Sequence, residues 1–167
     1  VTANCEEESH GWKITLIHSS MPGDYVEAFF LETKLQNVID AIPGGVAVYR
    51  VSDIFDMQYF SKGVPELTGY TPEEYRRVIK DETSAMPSSE DTQMAMRKLR
   101  YAAEHNASAD FEFRMYHRSG DRVWVRIQAK VIGYEDGYPL LHCVYHNITA
   151  RKKAELELLK ARQENDR

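Results

Sequence analysis

Residues 145–155 read Tyr145-His146-Asn147-Ile148-Thr149-Ala150-Arg151-Lys152-Lys153-Ala154-Glu155. The first half is strand-like, with Val144, Tyr145 and Ile148 among polar neighbours. The second half opens a charged helix that is still running at the last residue. The change falls within about one residue of Thr149. A strand that turns into a helix without a loop suits a sheet that senses something and a helix that carries the result elsewhere.

Working outward from this junction, the preceding segments alternate with period two. Val123, Val125, Ile127, Ala129 and Val131 alternate with Trp124, Arg126, Gln128 and Lys130, which predicts a half-buried strand. Glu135-Asp136-Gly137 is a turn, and residues 140–149 form the last strand. Phe111, Phe113 and Met115 alternate with Glu112, Arg114 and Tyr116 and lead into the turn Ser119-Gly120-Asp121. Further upstream, residues 45–51 and 56–61 read as a hairpin about Ser52-Asp53. Between the hairpin and the three later strands lie short helical turns at residues 63–69 and 71–79. Thr71 is the expected N-cap of the second, Pro72 its first residue and Glu74 the partner three after the cap. Residues 80–87 are irregular. Ser88-Ser89-Glu90-Asp91 opens a longer helix to about His105, with acids where the helix dipole favours them and an apolar face of Ala95, Met96, Leu99, Ala102 and Ala103. Two strands, a run of helices and three strands predict an α+β fold with helices on one face of an antiparallel sheet.

At the other end, residues 1–24 begin acidic and continue into a strand in which Trp12, Ile14 and Leu16 alternate. Met21-Pro22-Gly23-Asp24 breaks it. This strand either adds to an edge of the main sheet or closes a preceding domain; its wording is similar to the last strand of SnoaL-like domains over about ten residues. Residues 25–42 predict an amphipathic helix capped by Asp24. Its narrow seam is Leu31, Leu35, Val38 and Ile42, ended by Pro43-Gly44-Gly45.

The chain has 167 residues, 43% hydrophobic and 28% charged, which is the composition of a folded domain with extensions. A net charge of −5 argues against nucleic acid as the main partner. The two cysteines, Cys5 and Cys143, form no motif; Cys143 reads as a small buried hydrophobe, and a reducing cytoplasmic setting is expected. No apolar run has the length of a membrane span. The abrupt start at Val1 and the unfinished helix predict a piece of a longer polypeptide.

Three motifs in order resemble the PAS family. Leu67-Thr68-Gly69-Tyr70-Thr71-Pro72-Glu73-Glu74 resembles its L-x-G-Y-x-x-E-E turn. Glu112-Phe113-Arg114, Ser119-Gly120-Asp121 and Trp124 resemble its E-x-R, D-G and W hairpin. Asn147-Ile148-Thr149-Ala150-Arg151-Lys152-Lys153-Ala154-Glu155 resembles its D-I-T-x-R-K-x-A-E exit, with Asn147 in place of the aspartate. The resemblance implies a five-stranded antiparallel sheet in the order 2-1-5-4-3 over residues 43–149, followed by a signalling helix from residue 150. It implies a sensory and dimerisation module without enzyme activity. Such a module belongs to a bacterial signal-transduction protein of the two-component kind. An output domain in the same chain, a histidine kinase or a GGDEF-type diguanylate cyclase, would read it. The implied inward, ligand-facing set is Phe111, Phe113, Met115, Val125, Ile127, Ala129, Cys143 and Tyr145 from the sheet, with Leu67, Tyr75 and Leu99 from the helices. The cavity between them either holds a small molecule or is closed by its own side chains. Asn147 and Thr149 are the expected relay residues. Leu31, Leu35, Val38, Ile42 and Trp124 are the expected docking or dimer contacts.

The same family sets what chemistry to look for. Its covalent flavin sites need a cysteine in the region of residues 78–84, which has none. Its haem sites need a histidine on the long helix, where only His105 stands, at the frayed end. His142 and His146, four apart on a strand, are separated by about 13 Å of strand rise and suit no single metal ion. Glu73, Glu74, Glu90 and Asp91 serve helix starts, and Arg151-Lys152-Lys153 reads as a solvated helix face.

Overall fold

The computed structural model describes residues 4–8, 11–15, 23–80 and 89–166. The elements are β1 (Asn4–Glu8), β2 (Gly11–Thr15), α1 (Gly23–Asp40), β3 (Gly44–Val51), β4 (Phe55–Phe60), α2 (Gly63–Thr68), α3 (Pro72–Lys80), α4 (Glu90–Glu104), β5 (Ser108–Tyr116), β6 (Arg122–Glu135), β7 (Tyr138–Asn147) and α5 (Thr149–Asn165). The chain divides into two compact units, Val1–Val38 and Ile39–Arg167.

In the first unit β2 is not a lone strand: it pairs antiparallel with β1, Asn4 opposite Thr15 and Glu8 opposite Gly11. The run Cys5-Glu6-Glu7-Glu8 has no apolar alternation, so nothing in the sequence marked β1 as a strand. The expected continuation of β2 through Leu16 to His18, the break at Met21-Pro22 and the irregular stretch at 80–87 fall wholly or mainly outside the described residues. Helix α1 begins at Gly23, so Asp24 lies within its first turn and is not its cap. It ends at Asp40, which leaves Ile42 out of the helical seam. Ile42 precedes Pro43, whose ring disfavours helical backbone at the residue before it. Leu31, Leu35 and Val38 are exposed along α1.

The second unit is a five-stranded antiparallel sheet in the order β4-β3-β7-β6-β5, which is 2-1-5-4-3 counted from its own first strand. Alternation decides its faces. Phe111, Phe113, Met115, Val125, Ile127, Ala129, Leu141, Cys143 and Tyr145 are buried on the inner face, where α2 packs on β3 and α4 on β5, β6 and β7. The register of β3 with β4 slips between Val48 and Tyr49, and that of β6 with β7 between Val131 and Gly133. Such bulges bend a strand and re-aim its side chains. The predicted cap of α3 is present: the Thr71 hydroxyl accepts from Glu74 N–H at 3.2 Å, and the Glu74 carboxylate accepts from Thr71 N–H at 2.9 Å. Helix α4 is capped by Ser89, whose hydroxyl accepts from Thr92 N–H at 3.1 Å.

Gly45 and Gly63 hold α2 against β3. Gly45 has φ +147°, and a Cβ there would lie 2.7 Å from Val64 N. A Cβ on Gly63 would overlap the carbonyl of Gly44. Only glycine permits the backbone conformation at position 45 and the close approach at both positions.

Candidate functional site

A cavity of about 510 Å3 lies between the inner face of the sheet and helices α3 and α4. Six residues of the sequence-derived set line it: Tyr75, Leu99, Phe113, Met115, Ile127 and Tyr145. Leu67, Phe111, Val125, Ala129 and Cys143 sit instead in the packed core and off the cavity wall. One whole side of the wall lies outside that set. Tyr49, Phe55 and Met57 come from the β3–β4 hairpin, Val78 and Ile79 from α3, and Thr92, Ala95 and Met96 from α4. The alternation in residues 45–51 places Tyr49 on the face of Ala47, and that signal was available in the sequence.

Beneath the cavity floor, which Tyr49 and Tyr145 form, lie two small core residues. Ala47 and Cys143 are paired across β3 and β7 and are both fully buried. Tyr49 and Tyr145 lie two residues beyond them in opposite directions on the same face, and their hydroxyls meet at 2.8 Å. Larger side chains at 47 or 143 would occupy the space that the rings lean across. Tyr49 leaves part of its ring open to the cavity, while burial pushes both phenols well above their usual range. Burial likewise pushes the Cys143 thiol up to about 12. All three stay protonated at neutral pH, so the floor carries no charge.

Tyr75 enters from α3, with its ring edge-on to Phe60 at 5.1 Å. It is 2% exposed, and burial raises its hydroxyl to about 12. Asp56 is the one charged residue on the wall among the described residues, and it already accepts from Arg50 at 2.9 Å and from Gln58 at 2.8 Å. His105 lies away from the cavity at the end of α4, stacked on Tyr101, with its Nδ1 at 2.9 Å from the Tyr101 carbonyl.

The exit from the sheet is fastened to Trp124 on β6. Ile148 N–H donates to the Trp124 carbonyl at 2.9 Å, and Trp124 N–H donates to the Thr149 hydroxyl at 3.0 Å. Asn147 acts locally, its side-chain oxygen accepting from Thr149 N–H at 3.1 Å. An amide can make this turn as an aspartate would. Thr149 thus carries the tie between β6 and the start of α5, and Asn147 shapes the turn.

A second fastening was not foreseen, because Arg151 and Lys152 read as a solvated face. Glu112 on β5 forms ion pairs with Arg151 and, at 2.6 Å, with Lys152. Lys152 also lies over the Trp124 ring, 5.1 Å from its centre. On the same ring, Arg114 lies 5.6 Å away and holds Asp91 at the start of α4 through bonds of 2.8 and 3.1 Å. Asp91, Arg114, Trp124, Lys152 and Glu112 therefore form one contiguous set from a helix that walls the cavity to the helix that leaves the sheet.

Bonds from Lys152 and Arg151 lower the carboxyl pKa of Glu112. The tie is complete above the unfolded value and is lost as pH falls through the lowered one. The protection of the amides at residues 150–153, taken relative to the open-chain exchange rate at each pH, is expected to fall on acidification through that window. Glu112→Gln should show the low protection already at neutral pH, and equal protection in the two proteins would remove Glu112 from the fastening.

A family model of the PAS fold matches residues 58–144, more than half of the chain. The chain belongs to the PAS fold family. Solved structures agree on the architecture. A sensory box histidine kinase/response regulator from Burkholderia thailandensis is 23% identical with a TM-score of 0.59, over 80% of this chain and 98% of that one. The PAS domain of a Colwellia psychrerythraea protein is 20% identical with a TM-score of 0.53, over 72% and 98%. The LOV domain of a blue-light activated histidine kinase from Erythrobacter litoralis is 13% identical with a TM-score of 0.51, over 65% and 98%. No curated protein matches the chain. No helix among the described residues of this PAS protein is long and apolar enough to cross a membrane.

Proposed function

We propose that this PAS module is the sensory and dimerisation unit of a cytoplasmic, multidomain bacterial signalling protein. It binds a small molecule between sheet and helices and relays occupancy through α5 to an output domain, a histidine kinase or a GGDEF-type diguanylate cyclase. The observation that carries the reading is the cavity of about 510 Å3, within the usual range for small-molecule sites. A ligand-free dimerisation spacer would have that space closed by Phe111, Phe113, Met115 and Tyr145; Phe113, Met115 and Tyr145 line it and Phe111 packs in the core. α4 borders the cavity, and Asp91 on α4 is joined through Arg114 and Trp124 to α5, so a shift of α4 has a physical route outward. A coupling of about 1–3 kcal/mol is enough for such a relay. Ala154, Leu158 and Ala161 give α5 a narrow seam for a partner helix, and Leu158 is exposed. Leu31, Leu35 and Val38 on α1 offer a second seam.

Native mass spectrometry of the purified chain tests this reading. A dimer that carries a bound small molecule is expected; a ligand-free species from every expression host would overturn it. Within the full-length protein, Thr149→Val removes the hydroxyl that holds Trp124 N–H. Loss of signal dependence with ligand affinity kept is the expected result, and a normal response would take Thr149 out of the relay.

A further inference from the structure

We propose that the cavity takes a neutral, largely apolar ring molecule that presents a hydrogen-bond acceptor, such as a carbonyl oxygen, to the phenols of Tyr75, Tyr49 and Tyr145. The inference rests on the reading of the chain as a ligand sensor and names the class of ligand.

A count of donors carries it. Tyr49 and Tyr145 share one hydrogen, so whichever ring donates, the other keeps an O–H that no described residue accepts. The Tyr75 hydroxyl also meets no hydrogen-bonding partner among the described residues. No fully buried side-chain oxygen or nitrogen is left unpartnered there, so the Tyr75 hydroxyl opens on the cavity that it lines. Tyr75, Tyr49 and Tyr145 line the same cavity. Two O–H donors thus face one space with no acceptor among the described residues, and a ligand that shut water out without accepting would leave them orphaned, which is costly inside a protein. What fills the space must accept.

Charge then narrows the class. Among the described residues no Lys, Arg or His lines the cavity. An anionic ligand would enter without a counterion and in the presence of Asp56, at the cost of desolvating its charge. A cationic ligand would find Asp56 already held by Arg50 and Gln58. The remaining wall is aromatic and aliphatic, with Phe55, Phe113, Met57, Met115 and Leu99 suited to the faces of a flat ring system.

The test uses three molecules of one shape on the full chain: 9-fluorenone, fluorene and fluorene-9-carboxylate, titrated by calorimetry. 9-Fluorenone is expected to bind about tenfold more tightly than fluorene, from one net hydrogen bond. The carboxylate is expected to bind more weakly than either. The carbonyl stretch of bound 9-fluorenone should move to lower frequency in the infrared difference spectrum. Tyr75→Phe should reduce both the preference and the shift with the melting temperature held, and Tyr49→Phe combined with Tyr145→Phe should do so independently. Equal binding of fluorene and 9-fluorenone with an unshifted carbonyl would overturn the acceptor and leave a ligand cavity. A preference for the carboxylate would overturn neutrality. Failure of all three to bind, with no molecule retained in native mass spectrometry, would overturn the sensor reading and this inference with it.

Discussion

Gly45→Val lowers the unfolding free energy by about 3 kcal/mol or more, read as a shift of the denaturant midpoint. A valine at φ +147° is strained whatever surrounds it, and its Cβ would sit 2.7 Å from Val64 N and 2.8 Å from the Val64 side chain. The first of these is backbone at the start of α2, so relief requires the helix to move as a body. Val64 is 1% and Leu67 5% exposed, and moving α2 off β3 opens both to water. With total stabilities of about 5–15 kcal/mol, a loss of this size leaves a measurable unfolded fraction in a marginal protein. An unchanged midpoint would mean that α2 yields freely and that its contact with β3 contributes little.

Leu141→Ala and Leu99→Ala separate the packed core from the cavity wall. Leu141 is fully buried, off the cavity, and its truncation is expected to cost about 3–4 kcal/mol through lost transfer energy and a new void. Leu99 is 5% exposed but already faces empty volume on one side. It has fewer neighbours to lose, so its truncation is expected to cost about 1–2 kcal/mol less than the Leu141 change. Ligand should narrow that difference in the opposite sense, since an occupant gives Leu99 the contacts that it lacks. Equal costs in the purified protein would show that the space between α4 and the sheet is closed in solution.

Much of the fold was legible because it rests on strict alternation. Val123 to Val131 fixed β6 and its inward face, and the capping pattern of Thr71, Pro72 and Glu74 marked the start of α3. The strand order came from the resemblance, since period two states which face is buried and not which strand lies beside which. The cavity was legible only in part. Phe113, Met115, Ile127 and Tyr145 are inward by alternation. Whether an inward residue borders space or solid depends on how far a helix stands off the sheet, and no local pattern encodes that distance; Phe111 and Val125 share the alternation and are packed over. Glu112 was hidden for a related reason. A charged residue on an outer face reads as solvated until a chain segment of opposite charge is brought back across it, and Arg151 and Lys152 return only after β6 and β7 have been threaded.

The single hydrogen between Tyr49 and Tyr145 makes the cavity floor bistable. With the hydroxyls 2.8 Å apart, the direction of donation can reverse by rotation about two C–O bonds, with every heavy atom in place. Each polarity presents its spare O–H from a different ring, and so at a different point above Ala47 and Cys143. Two ligands of one outline, with their acceptors at opposite corners, would thus meet one cavity wired in two senses.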